Sequence, residues 1–363
     1  MVLIEECEQL YGIKIVYGNT VKMKHVKKLR KKLYALKQSE NVVLVHGIGK
    51  RKTPLQKSME TLGDYLGRLK KYNQQIHICG ERNSHSKTDH DATFMRMKED
   101  AMGNGQLKPA YNLQHGVDSE YITWLTIGPQ PTDTTTLIPF LKDAGQHLKF
   151  KYKNITADAG YESEENYLFL ESNGQLSYIK PANYEISKTR KYKNDIGGIE
   201  NMEYDAGADI YTCRNGKKLK ADHIRHSKSK TGYVSEKTVY KCEDCSGCPY
   251  KGGCIKGNNC RTPMEERTKM LQVAKTFLKY RKEDLARILS EEGIIFRTNR
   301  SIQAEGSFGD LKQDMQFRRY VSKGTSNVLA ESTLLAMARN INKLHNKIQK
   351  GRTGMYLFPL KST

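Results

Sequence analysis

The period of the apolar residues changes twice along this 363-residue chain, and that change limits it to folds combining helices with a sheet. Val26, Leu29, Leu33 and Leu36 recur at three and four within a strongly basic segment, which predicts an amphipathic helix. Thr53-Pro54 then makes a helix start, continued by Leu55, Met59, Leu62, Leu66 and Leu69, so residues 1–85 read as a basic helical hairpin region. That hairpin is either a packing element with a solvated basic face or a DNA-contacting one.

From about residue 86 the period becomes two. Tyr111, Leu113, His115 and Val117 alternate with polar or small residues, the turn Asp118-Ser119-Glu120 follows, and Tyr121 to Ile127 supplies a second strand. A helical segment after Asp133 and a short strand, Asn154-Ile155-Thr156-Ala157, lead into Asp158-Ala159-Gly160-Tyr161. The order strand, strand, helix, strand indicates an α/β core with a mixed sheet, its first part spanning 86–171. Residues 172–262, rich in Gly, Asn, Lys, Tyr and Cys, read as a β-rich insertion. The helical period returns over 263–363, ending in a stripe of Leu334, Leu335, Ala338, Ile341, Leu344 and Ile348.

Charge narrows the partners. Lysine and arginine outnumber aspartate and glutamate by 61 to 40, a net charge of +21, and basic residues recur in every region rather than in one tail. Such a balance points to a polyanion, nucleic acid first. No stretch approaches the ~20 apolar residues that span a bilayer, and no signal peptide is evident, so the expected location is the cytoplasm.

Two acids stand where chemistry could occur. Asp158 ends a strand just before a glycine turn, where a carboxylate can project from a sheet edge, although turn and capping roles are common for such a residue. Glu305 lies in a helix whose Ile302, Phe308 and Leu311 can anchor it, with arginines before it and Lys312 after it. Four cysteines, Cys242-x2-Cys245-x2-Cys248-x5-Cys254, have the close spacing of a thiolate metal site, zinc before an iron-sulfur cluster. Cys213 and Cys260 are alternative ligands. A site with four thiolates has no open position and would be structural.

The segments Asp158-Ala159-Gly160-Tyr161-Glu162-Ser163-Glu164-Glu165-Asn166 and Arg300-Ser301-Ile302-Gln303-Ala304-Glu305-Gly306-Ser307-Phe308-Gly309, continuing to Phe317-Arg318-Arg319-Tyr320, resemble the second and third catalytic motifs of the DDE transposases of bacterial insertion sequences. The resemblance extends to Tyr111-Asn112-Leu113-Gln114, to Asp133-Thr134-Thr135-Thr136-Leu137 and to a cysteine-bearing β insertion before the glutamate. It implies a ribonuclease-H-like mixed sheet with flanking helices, and strand cleavage and transfer at element ends. It also implies two Mg²⁺ or Mn²⁺ ions on two aspartates and a glutamate, a homodimer on DNA and a nucleoid association. Hard oxygen ligands suit such ions. Arg297, Arg300, Lys312, Arg318 and Arg319 are the expected DNA contacts. Relatives carry their first aspartate on the first core strand, in a segment upstream of the point matching Met1. Within this chain Asp91 is the leading candidate, followed by Asp89 and Asp118. The alternatives are a truncated, non-catalytic DNA-binding remnant and a plain metal-dependent nuclease.

Overall fold

The computed structural model describes residues 1–97, 103–257 and 260–358, and the chain divides into two units between His90 and Asp91. The first unit is helical: α1 (Val2–Tyr11), α2 (Met23–Ser39) and α3 (Pro54–Cys79). The α2 residues Val26, Leu29 and Leu33 face inward against Leu55, Met59, Leu62 and Leu66 of α3 and Ile4 and Cys7 of α1. Thr53 starts α3 as expected, its Oγ1 accepting a 3.2 Å hydrogen bond from the Gln56 amide. Because α2 carries seven basic residues and no acid, burying its apolar stripe leaves the cations on the surface.

The second unit mixes strands and helices. β1 (Thr93–Arg96) pairs with β2 (Leu107–Ala110), and β3 (Asn112–Asp118) with β4 (Tyr121–Gly128), both antiparallel. The β3–β4 turn places Ser119 and Glu120 at positive φ, the backbone geometry that a two-residue hairpin loop requires. After α4 (Leu137–Leu148) come β5 (Asn154–Ala157), α5 (Glu164–Ser172) and β6 (Leu176–Ile179), a parallel crossover unit. Leu137, Tyr167, Leu170, Ile179 and Tyr280 form its core. The expected single mixed sheet is not assembled among the described residues, where β3–β4 and β5–β6 stand as separate pairs. Leu176–Ile179, read from composition as insertion, belongs to this core because its register is set by β5.

Single helical turns α6 (Tyr184–Ser187) and α7 (Arg190–Lys193) lead to a five-stranded antiparallel meander: β7 (Glu203–Asp205), β8 (Ile210–Thr212), β9 (Lys218–Lys228), β10 (Val234–Cys242) and, after the turn α8 (Lys251–Cys254), β11 (Met270–Val273). β11 extends this β-rich region beyond residue 262. Three long helices close the chain: α9 (Lys275–Leu289), α10 (Glu291–Gly309), which runs into a π-helical turn at Asp310–Asp314, and α11 (Thr325–Gln349).

At the α9–α10 junction the two backbones come so close that a Cβ on Gly293 would lie 1.9 Å from the Arg287 carbonyl oxygen, so only glycine fits. The inward face of α11 departs from the apolar stripe. Leu334 and Ile341 are each 67% exposed, whereas Arg339 and Lys347 are buried. Arg339 reaches Asp310 at 2.9 Å and the Glu120 carbonyl at 2.7 Å, and Lys347 reaches the Glu120 carboxylate at 2.8 Å. Buried cations with such partners anchor the helix to the β3–β4 turn.

Candidate active site

Asp158 terminates β5 in extended backbone, and its Oδ1 accepts a 2.7 Å hydrogen bond from the Ala159 amide. That bond holds the carboxylate at the mouth of the turn, with Oδ2 3.7 Å from Nη2 of Arg300. The same guanidinium offers Nη1 to Glu305 Oε1 at 3.6 Å. Both acids are more than half exposed, while Arg300 is largely covered, so the cation is the more sheltered member of the three.

Several contacts fix the Asp158 turn. Glu162 is buried and meets Arg281 through two parallel bonds of 2.7 and 2.8 Å, and its Oε2 also accepts from the Ala182 amide at 2.8 Å. Ser163 caps α5 through the Asn166 amide at 3.1 Å. A Cβ on Gly160 would press to 3.2 Å of Asp133 Oδ2, while Asp133 Oδ1 accepts from Asn112 at 2.8 Å and Gln114 at 3.1 Å. The Tyr161 hydroxyl donates to Gln114 Oε1. Burial above all, then Asp133 and Asp158, push the Tyr161 phenol far above its ordinary value, against the opposing pull of Arg300, so it remains a neutral donor.

Glu305 is exposed on α10, and the residues just after it anchor the helix. Ser307 is fully buried, its hydroxyl donating to the Ala304 carbonyl at 2.7 Å, and His115 Nδ1 lies 3.1 Å from Ser307 Oγ. The His115 ring stacks on Phe308 with centroids 4.2 Å apart. Burial, with Arg339 adding to it, lowers the His115 pKa to about 4, so the ring is neutral and acts as a packing and hydrogen-bonding wedge.

Asp91 is engaged elsewhere: its Oδ2 accepts from the Thr325 amide at 2.8 Å and the Thr325 hydroxyl at 3.2 Å, at the start of α11. A carboxylate there satisfies a free amide and meets the positive end of the helix dipole. Arg297 lies over the Tyr184 ring at 5.8 Å, and Lys312, Arg318 and Arg319 are exposed. Asn112, Gln114 and Asp133, which only the resemblance singles out in sequence, join in one hydrogen-bonded group behind the Asp158 turn. The polarity of Asn112 and Gln114 is ordinary for an alternating strand, and Asp133 opens a 3-10 turn outside it, so the local pattern held no signal of their role.

The cysteines converge in the second unit. Cys213 from the β8–β9 turn, Cys242 at the end of β10, Cys245, Cys248 and Cys254 line one cavity of about 20 Å³, with Lys217, Lys251 and Lys269 at its rim. The Lys269 amide donates to Cys245 Sγ at 3.3 Å. Burial and the Cys245 hydrogen bond push the Cys242 thiol up to about 12. Cys260 is exposed and does not line the cavity. Among the described residues no three His, Cys, Asp or Glu side chains are grouped closely enough to hold a metal ion, and this applies both to the thiols and to the acids around Arg300. The donor types nevertheless suit two different ions: soft sulfur in the cavity, hard oxygen at Asp158 and Glu305. No described helix is long and apolar enough to cross a membrane.

Residues 212–345 match the family model of a transposase DDE domain, a span that includes Glu305 but not Asp158 and covers less than half of the chain. No curated protein and no solved structure matches it.

Proposed function

We propose that this chain is a DNA strand-cleaving and strand-joining enzyme of the DDE transposase type, with Asp158 and Glu305 among the carboxylates that hold its divalent ions. The observation that carries the reading is the meeting of these two acids at Arg300, although one ends a core strand and the other lies on a late helix. The transposase DDE match over residues 212–345 supports the same class.

In this reading the Ala159 amide and the Glu162–Arg281 pair hold Asp158 at the strand edge, and the buried Ser307, held by His115 on the other side of α10, leaves Glu305 outward. Arg300 neutralises the two acids until ions take over that task. Bound Mg²⁺ or Mn²⁺ would supply an activated water or 3′-hydroxyl and charge stabilisation for the leaving oxygen. Lys312, Arg318 and Arg319 are exposed beyond Glu305 and are suited to phosphate contacts. The thiols lining the cavity are the donor type a structural zinc takes, and holding one would require Cys213, Cys242, Cys245, Cys248 and Cys254 to draw closer together than they stand here.

A second reading, a DNA-binding protein without strand-transfer chemistry, has one observation in its favour. The carboxylate of Asp91, the acid expected to complete the set, is engaged with Thr325. A cleavage assay on element ends in Mg²⁺ or Mn²⁺ separates the two. Metal-dependent cleavage lost in both Asp158→Asn and Glu305→Gln is the expected result; binding of the ends with no cleavage by the parent chain would favour the second reading.

A further inference from the structure

Beyond the sheet, β9 and β10 continue as a two-stranded ribbon. β8 pairs with β9 only through Lys220, and β11 pairs with β10 only from Thr238, so among the described residues the strand segments 225–228 and 234–237 pair only with each other. Of the eleven β9 residues only Leu219 is buried. Residues 218–241 carry seven lysines and arginines against two acids.

The register sorts these charges. Lys220 lies directly opposite Lys241, and Arg225 directly opposite Lys237, with a bulge between the two rows. Residues directly opposite share a face of the ribbon, and like charges so placed repel. Lys220 has a partial partner in Glu243 at 3.5 Å, but Arg225, Lys237 and Lys241 have no ion pair among the described residues. A free protein gains nothing from this arrangement, whereas a bound polyanion would turn repulsion into attraction.

The far end of the ribbon is tied down. At its tip Thr231 donates to Glu165 and Tyr233 to Glu164, both at 2.6 Å, in the first turn of α5, the helix that follows the Asp158 turn. The two cationic rows, separated at the bulge by the buried Val239, therefore lie between the cysteine-bearing sheet and the edge of the candidate active site.

We infer that this ribbon is a duplex-DNA-binding arm, its Lys220, Arg225, Lys237 and Lys241 holding the phosphate backbone on the approach to Asp158 and Glu305. The inference rests on the reading that the chain acts on DNA. A two-stranded ribbon has the width that the major groove admits, and its same-face residues recur every ~6.8 Å, close to twice the 3.4 Å axial spacing of phosphates along one strand.

The test measures binding of the full chain to a generic duplex of about 30 base pairs across a salt series, for the parent, the Arg225→Gln/Lys237→Gln double variant and the single Lys237→Thr variant. Each lost phosphate contact lowers the logarithmic salt slope by about 0.9, so the double variant should lose about 1.8 and the single about 0.9. Thermal midpoints should stay level or rise, because the opposed cations are relieved. Tight binding by the parent with an unchanged slope in both variants overturns the arm and leaves the DNA-enzyme reading standing. Failure of the parent to bind duplex at low salt overturns that reading and the arm with it. Parent binding to duplex RNA or polyglutamate in clear preference to DNA also overturns the proposal.

Discussion

Asp158 and Glu305 face the same guanidinium, with Arg300 3.7 Å from one and 3.6 Å from the other, so three charges from a strand end and a helix share one small volume. Neither acid is buried, and exposed ion pairs of this kind contribute little to folding. Folding stability therefore accounts for little of their juxtaposition.

The first prediction separates chemistry from stability. Asp158→Asn and Glu305→Gln should each lower metal-dependent DNA cleavage at least about a hundredfold, while shifting unfolding free energy by no more than about 0.5 kcal/mol. Cleavage kinetics and denaturant titration on the same preparations check both halves, and a variant that keeps its cleavage rate would remove that acid from the site.

His115 makes stability depend on pH. Its folded pKa is about 4, below the ordinary 6.5, so as pH falls the unfolded chain takes up the proton first. The stabilisation is complete above about pH 6.5 and is lost progressively toward pH 4, up to roughly 3 kcal/mol for this group. Urea titrations at pH 7 and pH 4.5 should show a smaller difference for His115→Phe than for the parent.

The Glu162–Arg281 pair is the buried anchor of the Asp158 turn. Glu162→Ala removes both parallel bonds and leaves a half-buried guanidinium without its partner, at a cost of about 3 kcal/mol. Glu162→Gln, which keeps an acceptor for the Ala182 amide, should cost less. Unfolding midpoints of the two variants decide this, and equal values would show that charge pairing is not what holds the turn.

Protein purified under reducing conditions should contain about one zinc per chain. Cys213→Ser and Cys242→Ser should lower the metal content and speed amide exchange in β7–β11 while leaving β5, α5 and β6 protected, because the thiols and that core bury separate surfaces. Cys260→Ser should change neither. Metal analysis that finds no zinc in the parent would leave the cavity as a set of packed free thiols.

The β3–β4 hairpin was legible because alternation and a turn are local signals, and so was the Asp158 turn after β5. The inward face of α11 was not. Periodicity favours Leu334, Ile341 and Ile348, yet the helix turns Arg339 and Lys347 inward because Glu120 and Asp310, far away in sequence, satisfy them. The contact of Asp91 with Thr325 was hidden for a similar reason, since nothing near Asp91 in sequence points to a partner 234 residues away. Cys213 stood outside the close cysteine spacing, and only the β8–β9 pairing brings it to the others.

The glycine at the α9–α10 junction sets the aim of Glu305 from a distance. Twelve residues of helix separate Gly293 from Glu305, a lever of about 18 Å at 1.5 Å per residue. Any side chain at 293 must pry α10 away from the Arg287 carbonyl, and a tilt of only about ten degrees about that fulcrum would carry the Glu305 carboxylate roughly 3 Å, out of reach of an ion shared with Asp158. A position with no chemistry of its own should then tolerate substitution as poorly as the acids do, and for a purely mechanical reason.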